Sequence, residues 1–301
     1  MTRRFLLIPH LQIHNANAMS SPYTIGFPAL TAWLGGVHVL QRHLREHDLS
    51  DIDLISVAVS CHCLDLQTYK GQGDFLHSIV GTANPLDKDG GRPAFVEEAR
   101  CHLNVSLLVE LQGFDTEKRD LFETLINQQL HCMKWAGGDV LAVKPVEIHV
   151  VGEDDEHSVK KLLNRLMLGY VLIERRELMV KAMREEGLDA LDALLAYLKI
   201  MHRSHQDKTG KVVWNNGQRK VPGWLVPIAV GFQGISELGL AVSQRDSETP
   251  HRFAESVVTL GEFKMPYRIN NLDDVLWQYH IDTKRNLYLC QTLSTAYFIG
   301  D

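Results

Sequence analysis

Apolar and polar positions in the first part of the chain predict a strand followed by a helix. Residues 5–13 form a mostly apolar run of strand length. Pro28 suits a first helical turn, and the apolar residues behind it recur at steps of three and four. The predicted buried stripe is Leu30, Trp33, Leu34, Val37, Leu40 and Leu44. The opposite face carries a polar and basic row of Thr31, Gly35, His38, Arg42 and Arg45.

Two long strands are predicted next, over residues 52–66 and 100–111. In the second strand, apolar residues alternate with Arg100, His102, Asn104 and Ser106, so we expect one core face and one polar face. The glycine-rich residues 70–93 predict an irregular hairpin. A helix ending at Gly137-Gly138 follows, and a strand begins at Val140. The residues of this helix predicted to face inward are Leu121, Phe122, Leu125, Ile126 and Leu130.

The second half predicts helices at residues 160–167, 177–186 and 188–202, with Gly187 between the last two. A short strand is expected at 170–173, a buried strand at 224–232, and a strand pair at the C-terminus. Asn216-Gly217 predicts a hairpin turn. Thr249-Pro250 predicts the start of a helix that carries Phe253, Val257 and Leu260.

Composition places the chain among ordinary folded proteins. It has 301 residues, 45% of them apolar and 23% charged, enough for one large domain or two smaller ones. No apolar run reaches the ~20 residues that a membrane helix needs, and none resembles a signal-peptide core. The five cysteines follow no disulfide framework. These features favour a cytoplasmic protein without a membrane partner.

The net charge of -6 argues against a surface that is basic throughout, but local charge matters more because distant charges are screened. Residues 147–156 carry five acids, whereas residues 160–184 carry seven basic residues. Charge is therefore segregated along the chain.

Residues 15–36 are the strongest candidate for a binding site. They supply small polar side chains and unpaired amides before a helix, which suits a phosphate. Asparagines can read base edges, and Tyr23 or Phe27, if exposed, would stack on a base for about 1–3 kcal/mol. The residues expected to lie nearby are His38, Arg42, Arg45, Arg100 and His102.

Catalytic and metal chemistry have weaker support. The Cys61-His62-Cys63, Cys101-His102 and His131-Cys132 pairs lack the spacing of structural zinc sites, and no hydrolase or P-loop motif occurs. A metal-independent ribonuclease needs a positioned histidine as general base, and His14 and His38 flank the candidate site. Hydrogen bonding without chemistry is the favoured interpretation of both.

Several short motifs, in order along nearly the whole chain, carry a family resemblance. They include Asn15-Ala16-Asn17-Ala18, Ser20-Ser21-Pro22, Gly26-Phe27-Pro28, Asn84-Pro85-Leu86, Glu97-Glu98 before Arg100 and His102, Ala136-Gly137-Gly138, and Thr249-Pro250 before Arg252-Phe253. Together they resemble the handle-binding subunit of the type I-F CRISPR (Csy) surveillance complex, a Cas-five-like member of the RAMP superfamily.

The resemblance implies an α+β fold with a ferredoxin-like, RRM-like RAMP core and additional helices. Residues 1–151 would form the core, with a thumb hairpin inserted at about 68–98. Residues 152–301 would add a helical, basic insertion and the C-terminal strands that complete the core.

The resemblance also implies a function in antiviral defence. The protein would bind the 5' handle of the crRNA without catalysis and without a metal or other cofactor. Its partners would be the large PAM-recognising subunit, as a heterodimer, and the first backbone subunit. The implied RNA-binding residues are Asn15, Asn17, Ser20, Ser21, Phe27, Pro28, Thr31, His38, Arg42, Asn84, Arg100, His102 and Arg252.

The sequence leaves three hypotheses open. The first is the binding subunit, the second is a RAMP endoribonuclease that processes repeat RNA with His14 and His38, and the third is a zinc protein. The basic segment after Lys160 has no assigned partner. Target double-stranded DNA, the guide and a protein neighbour are all candidates.

Overall fold

One antiparallel sheet of twelve strands dominates the structure, a computed structural model that describes residues 2–82, 89–91, 98–152, 155–215, 217, 219–242, 244 and 246–296. Strands in the first half are β1 (Thr2–Asn17), β2 (Met19–Ser21), β3 (Thr24–Ile25), β4 (Asp53–Leu66), β5 (Thr68–Tyr69), β6 (Ser78–Ile79), β7 (Gly81–Thr82), β8 (Glu98–Gln112), β9 (Lys134–Trp135), β10 (Gly138–Ala142) and β11 (Glu147–Gly152). Strands in the second half are β12 (Tyr170–Glu174), β13 (Arg203–Gln206), β14 (Val212–Asn215), β15 (Trp224–Gly234), β16 (Ala254–Lys264), β17 (Trp277–Asp282) and β18 (Leu287–Thr292). The helices are α1 (Leu30–Glu46), α2 (Arg119–Cys132), α3 (Glu156–Asn164), α4 (Arg176–Glu186), α5 (Ala190–Leu198) and α6 (Leu293–Ala296).

The large sheet curls back on itself. Its order is β12-β16-β15-β18-β17-β4-β8-β1-β10-β9, and β12 pairs with β4 as well as with β16. Six strands therefore close into a ring, and the indole of Trp277 donates a hydrogen bond to the Leu172 carbonyl within it, at 3.0 Å. The remaining strands extend from this ring as an open sheet around β1 and β8.

The main core lies between the open sheet and α1 with α2. The predicted stripe of α1 is buried in full, which confirms the helical spacing argument. Gly36 belongs to the same face, because a Cβ at this position would lie 2.2 Å from the Trp135 ring. The second glycine of the Gly35-Gly36 pair therefore allows helix and sheet to approach closely. Among the described helices, none is both long and apolar enough to cross a membrane.

The opposite face of the open sheet is divided into a covered part and an open part. Phe5, Leu7 and Leu108 pack in a second core under α3 and the segment around Leu272. The prediction of a polar face along residues 100–111 is therefore wrong at its C-terminal end, where Leu108 and Glu110 are buried. The Glu110 carboxylate is stabilised there by the Arg3 guanidinium at 2.7 Å and by the Ser56 hydroxyl at 2.9 Å.

Some predictions of local structure are wrong. The residues after Thr249-Pro250 form strand β16 and not a helix, with Phe253 exposed before it and Leu260 buried within it. Leu121 of α2 is half exposed instead of facing inward. The β13–β14 hairpin turns at Asp207–Gly210 and not at Asn216-Gly217, of which Asn216 lies outside the described residues.

The predicted domain division and thumb are only partly visible. Strands from both sides of residue 151 join one sheet and one core, and the division itself stays a prediction. In the thumb region, β5 pairs with β6 and β7 pairs with β8, as an irregular hairpin would. Residues 83–88 and 92–97, including Asn84, lie outside the described part of the chain.

Candidate nucleic-acid interface

Two β-bulges in β1 shape the open part of the sheet. Between Ile8 and Leu11, and again between Ile13 and Ala16, β1 has one residue more than its partner β8. His10 and Asn15 lie in these bulges with left-handed backbones, at φ 51 and 60. Bulges re-aim side chains and are frequent beside functional sites. Here they direct polar side chains to the face that α3 leaves uncovered.

Two pairs of histidine rings stack on this face. His10 of β1 stacks on His62 of β4 with ring centroids 4.4 Å apart and planes at 25°. His14 of β1 stacks on His102 of β8 at 4.3 Å and 22°. We call this surface the imidazole face, comprising His10, His14, His62 and His102. It presents flat aromatic rings that also carry hydrogen-bonding nitrogens.

Ser106 and burial hold the first pair in place. The Ser106 hydroxyl accepts a hydrogen bond from the His10 backbone N–H at 3.1 Å and lies 2.7 Å from His62 Nε2. His62 is itself in a bulge of β4, between Cys61 and Cys63. Burial, followed by the neighbouring His10, lowers the pKa of His62 to about 4. The His62 imidazole is therefore neutral at pH 7 and poorly suited to donate a proton.

Asn15 forms a corner beside the second pair. Its backbone N–H donates to His102 Nδ1 at 3.2 Å, and its side-chain Oδ1 accepts from Gln67 Nε2 at 3.0 Å. The Asn15 carbonyl accepts from the Arg100 guanidinium at 3.4 Å. The prediction that Arg100 and His102 lie near Asn15 is confirmed. We call Asn15, Gln67, Arg100 and His102 the Asn15 corner.

The Arg100 guanidinium is held in a fixed orientation. It forms an ion pair with Glu98 and lies against the β9–β10 turn, where Gly137 has a left-handed φ of 75. Arg100 Nε is buried and has no hydrogen-bond acceptor among the described residues. The guanidinium stays partly exposed, and a guanidinium suits a phosphate or a base edge through its terminal nitrogens.

The β2–β3 hairpin lies next in the chain and is closed by hydroxyl groups. Thr24 Oγ1 lies 2.8 Å from Ser20 Oγ and 2.7 Å from Ser21 Oγ. Asn17 Oδ1 similarly accepts from the Met19 backbone N–H at 2.8 Å. These predicted RNA-binding side chains stabilise the hairpin, and Ser21 is buried. The hairpin instead presents Tyr23, which is 77% exposed.

Phe27 and Pro28 are buried, which removes both from the accessible candidates. The Phe27 ring stacks on Trp33 at 5.3 Å and meets the edge of Phe263 at 5.3 Å. Phe27 forms one wall of a pocket of about 310 Å³ between the β2–β3 hairpin, the end of β4 and the strand ring. Trp224, half exposed, forms another wall. The expected base-stacking role of Phe27 therefore lacks an exposed ring.

The helix residues do not join the Asn15 corner. Ile13 points into the core beneath α1, whereas the neighbouring His14 points to the opposite face. His38 and Arg42 are exposed on α1, and His38 lines a separate groove with Tyr279. Thr31 is only partly exposed on the same helix, in its first turn. The expected continuity of loop and helix face is wrong because the sheet separates them.

Arg252 lies away from both the Asn15 corner and α1. Its guanidinium donates to Asn286 Oδ1 at 2.5 Å, and its side chain crosses Gly234, where a Cβ would lie 2.4 Å from Arg252 Cδ. This contact is at the end of β15, with β18, β17 and β4 between it and the strands of the Asn15 corner. The structure therefore groups only Asn15, Arg100 and His102, with Asn17 alongside.

Of the cysteines in the candidate zinc pairs, Cys61 is largely buried and Cys101 fully buried, whereas Cys63 and Cys132 are exposed. Burial raises the pKa of Cys61 to about 12 and that of Cys101 to about 11. Both thiols are protonated at neutral pH, and the thiolate is the metal ligand. Within the described ranges, no group of three or more potential metal ligands lies together.

His10, His62 and Gln67 were not among the predicted site residues. The available signal was a break in alternation: the buried residues of β1 step by two from Leu6 to Ile8, then by three to Leu11. A step of three within an apolar strand indicates a bulge. The stacking of His10 on His62 depends on pairing across β8 and leaves no local signal.

Known proteins show which class this chain belongs to. A family model described as CRISPR-associated protein (Cas_Csy2) matches residues 6–290. The chain is also 36% identical over 313 residues to CRISPR-associated protein Csy2 of Pseudomonas aeruginosa (strain UCBPP-PA14), covering 95% of this chain and 94% of that relative. This chain is a CRISPR-associated protein, and it belongs to the Csy2 family. The resemblance to a Csy subunit is thereby confirmed, whereas RAMP membership stays a prediction.

Proposed function

We propose that this protein is a non-catalytic subunit of a type I-F CRISPR Csy complex that binds the 5' handle of the crRNA. The Asn15 corner is the observation that carries the proposal. It combines an amide pair, a partly exposed guanidinium and stacked aromatic rings on one uncovered sheet face. Single-stranded RNA is recognised by stacking on aromatic or guanidinium planes and by hydrogen bonds to base edges.

Strand order supports a ferredoxin-like RAMP core. The strands β10-β1-β8-β4 are adjacent in this order, and all of their pairings are antiparallel. In the chain, α1 follows β1 and α2 follows β8, giving the order β-α-β-β-α-β. This is the connectivity of ferredoxin-like domains. The Asn15 corner then lies on the sheet face opposite the two helices, where RRM domains stack bases.

The acidic net charge is compatible with this role. The imidazole face includes a neutral His62, and the Arg100 charge is partly balanced by Glu98. Such a surface reads bases more than it neutralises phosphates. In a complex of several subunits, the backbone subunits would neutralise most of the guide, so one end is all that this protein needs to bind.

Partner contacts form the second part of the proposal. Residues 235–253 expose several large apolar side chains, and such exposed patches mark protein contacts. The most exposed are Ile235, Leu238, Leu240, Val242 and Phe253. We assign the large PAM-recognising subunit and the first backbone subunit as partners. Co-expression of this chain with each subunit, one tagged, would reveal stable pairing.

The test is a comparison of two guides. With its large partner, the protein should bind a guide bearing the 5' handle at least about tenfold more tightly than a guide with a scrambled handle of equal length, measured by filter binding. Equal affinity would contradict handle recognition. Arg100→Gln should narrow the difference, and Arg45→Gln on α1, which removes the same charge beyond the sheet, should leave it unchanged.

A ribonuclease is the second candidate, favoured by the stacked His14 and His102 rings. Because His102 Nδ1 accepts a hydrogen bond from the Asn15 N–H, the ring N–H of His102 is on Nε2. This nitrogen points away from Asn15. Precursor RNA is incubated with the protein without metal. Handle-specific cleavage that His14→Ala, His38→Ala or His102→Ala abolishes, while the remote His157→Ala does not, would replace the binding proposal by an enzymatic one.

A further inference from the structure

The β13–β14 hairpin is a two-stranded ribbon that stands alone. Its strands pair with each other over four positions, from Arg203 with Asn215 to Gln206 with Val212, and with no other described strand. Its turn is fixed by the Asp207 carboxylate, which accepts from the backbone N–H groups of Thr209 at 2.8 Å and Lys211 at 3.0 Å. An isolated two-stranded hairpin is marginally stable in water. The ribbon is therefore expected to bind something outside this chain.

The charge of the ribbon indicates what it binds. Residues 199–220 contain one acid, Asp207, and its carboxylate is used in the turn. The basic residues of this segment are Lys199, Arg203, Lys208, Lys211, Arg219 and Lys220. Arg203, Lys208 and Lys211 are exposed and have no ion pair with any described residue. In a chain of net charge -6, this is a local concentration of positive charge that complements a polyanion.

The placement of the charges suits a duplex. Arg203 lies at the base of the ribbon, and Lys208 and Lys211 lie at its tip. Four residues at ~3.4 Å each place these charges about 14 Å apart, close to the ~12 Å width of the DNA major groove. Between them lie uncharged side chains, including Trp214, which is 65% exposed. A two-stranded ribbon also has the width that this groove admits.

We propose that the β13–β14 ribbon binds double-stranded DNA, with its cations on the phosphates that border the major groove and Trp214 against base edges or sugars. This inference goes beyond handle binding and does not depend on it. Among the described residues, no hydrogen bond or ring contact joins the ribbon to the Asn15 corner. The protein would thus contact two nucleic acids through two surfaces.

The experiment uses the full-length chain and a fluorescent 30-base-pair duplex of arbitrary sequence, with anisotropy measured from 50 to 200 mM salt. The variant is Arg203→Gln/Lys208→Gln/Lys211→Gln. The matched control, Lys160→Gln/Lys161→Gln/Lys181→Gln, removes the same charge from exposed lysines of α3 and α4. Each lost phosphate contact lowers the slope of log affinity against log salt by about 0.9, so the ribbon variant should lose about 2.7. Its affinity at 100 mM salt should fall at least about tenfold, and that of the control by less than about twofold.

Further arms decide between the alternatives. Trp214→Ser should weaken duplex binding severalfold without changing the slope, because it removes no charge. Equal losses in the ribbon and control variants, or no duplex binding by the wild type, would refute the proposal. Tighter binding of a 30-nucleotide single strand than of the duplex would overturn groove binding. Loss of handle binding in the ribbon variant would assign the ribbon to the guide, whereas loss of handle recognition with duplex binding intact would refute only the proposed function. Matching melting temperatures ensure that the variants compared are folded.

Discussion

The Asn15 corner and the β13–β14 ribbon differ in how their polar groups are already used. In the corner, backbone and side-chain groups of Asn15, Gln67 and His102 bond one another, and Arg100 is paired with Glu98. In the ribbon, the cations Arg203, Lys208 and Lys211 have no ion-pair partner within the described chain. The corner is preorganised and close to neutral, which favours selectivity for one ligand shape. The ribbon is flexible in its side chains and charged, which favours affinity without selectivity.

The two surfaces therefore depend on the fold to different degrees. The corner is built into the central sheet at its bulges, so its geometry depends on the pairing of β1 with β8. The ribbon pairs with no other described strand, so a change in its exposed side chains is expected to have little effect on the rest of the fold. Substitutions in each surface, and a change of pH, test the preorganisation of the corner separately from the charge of the ribbon.

The largest effect is expected from a pair of glycine substitutions. A Cβ at Gly138 would lie 2.6 Å from the His14 carbonyl oxygen and 2.8 Å from the Ala16 nitrogen, which are backbone atoms that cannot yield. Gly138→Val should therefore lower the free energy of unfolding by about 2–4 kcal/mol. Gly210 in the ribbon turn has φ +79 and no atom within 4 Å of its Cβ position. Gly210→Ala should cost only about 1 kcal/mol, and locally. Urea denaturation of both variants measures the difference in their free energies of unfolding. Equal denaturation midpoints would contradict this prediction.

The next effect concerns recognition. Arg100→Gln removes the guanidinium and its charge from the Asn15 corner, and should weaken binding of the 5' handle about 10- to 100-fold, or about 1.4–2.7 kcal/mol. Its effect on non-specific duplex DNA should be small, since that contact is assigned to the ribbon. Filter binding with both ligands tests this. An equal loss for handle and duplex would show that the two surfaces are not separate.

A smaller effect is expected from pH. Burial lowers the pKa of His62 from 6.5 to about 4, so between these values the unfolded chain binds more protons than the folded protein. Stability therefore rises with pH across this window and is lost as pH falls from 6.5 through 4. Between pH 7 and pH 5 the loss attributable to His62 should be about 1–2 kcal/mol, reduced by its partial exposure. His62→Gln should remove this part of the pH dependence in urea titrations, whereas the exposed His157→Gln should not. Identical profiles for wild type and His62→Gln would mean that His62 titrates normally.

The smallest effect is expected at the tip of the β2–β3 hairpin. Tyr23→Ser should weaken handle binding about fivefold, or about 1 kcal/mol, through lost stacking on one base. Because Tyr23 is 77% exposed, the melting temperature should hardly change. Tyr267→Ser, at a tyrosine that is also exposed and lies in the turn Pro266–Arg268, is the control and should leave handle binding intact. A change in stability with no change in binding would mean that Tyr23 only supports the hairpin.

The sequence predicts α1 and the long strands of the central sheet well because their periodic patterns extend over many residues. The α1 stripe spans four turns, and its spacing at Leu30, Trp33 and Val37 has no alternative interpretation. The failure after Thr249-Pro250 has a physical cause. Phe253, Val257 and Leu260 have helical spacing, but the run Val257-Val258-Thr259 between them is β-branched and favours the strand that forms.

The candidate site was predicted only in part. Asn15, Arg100 and His102 are separated by whole elements, yet each is a polar residue on a strand expected in the same sheet, so pattern reasoning brings them together. Which face each residue takes depends on bulges, and these shift the register by one residue wherever they occur. Phe27 and His38 were misplaced for this kind of reason: burial of Phe27 against Phe263 and separation of His38 by the sheet are tertiary facts.

The bulges of β1 also show that the residues which build the core differ from the residues which shape the surface. Because β1 has one surplus residue between Ile8 and Leu11 and another between Ile13 and Ala16, the strand without His10 and Asn15 would alternate regularly and still turn the same apolar side chains toward α1. Deletion of His10 or Asn15 would therefore keep the apolar side chains of β1 facing α1. It would remove the bulge that shapes the opposite surface. The core side of β1 therefore depends on neither residue, and the surface feature is an addition to a strand that alternates without it.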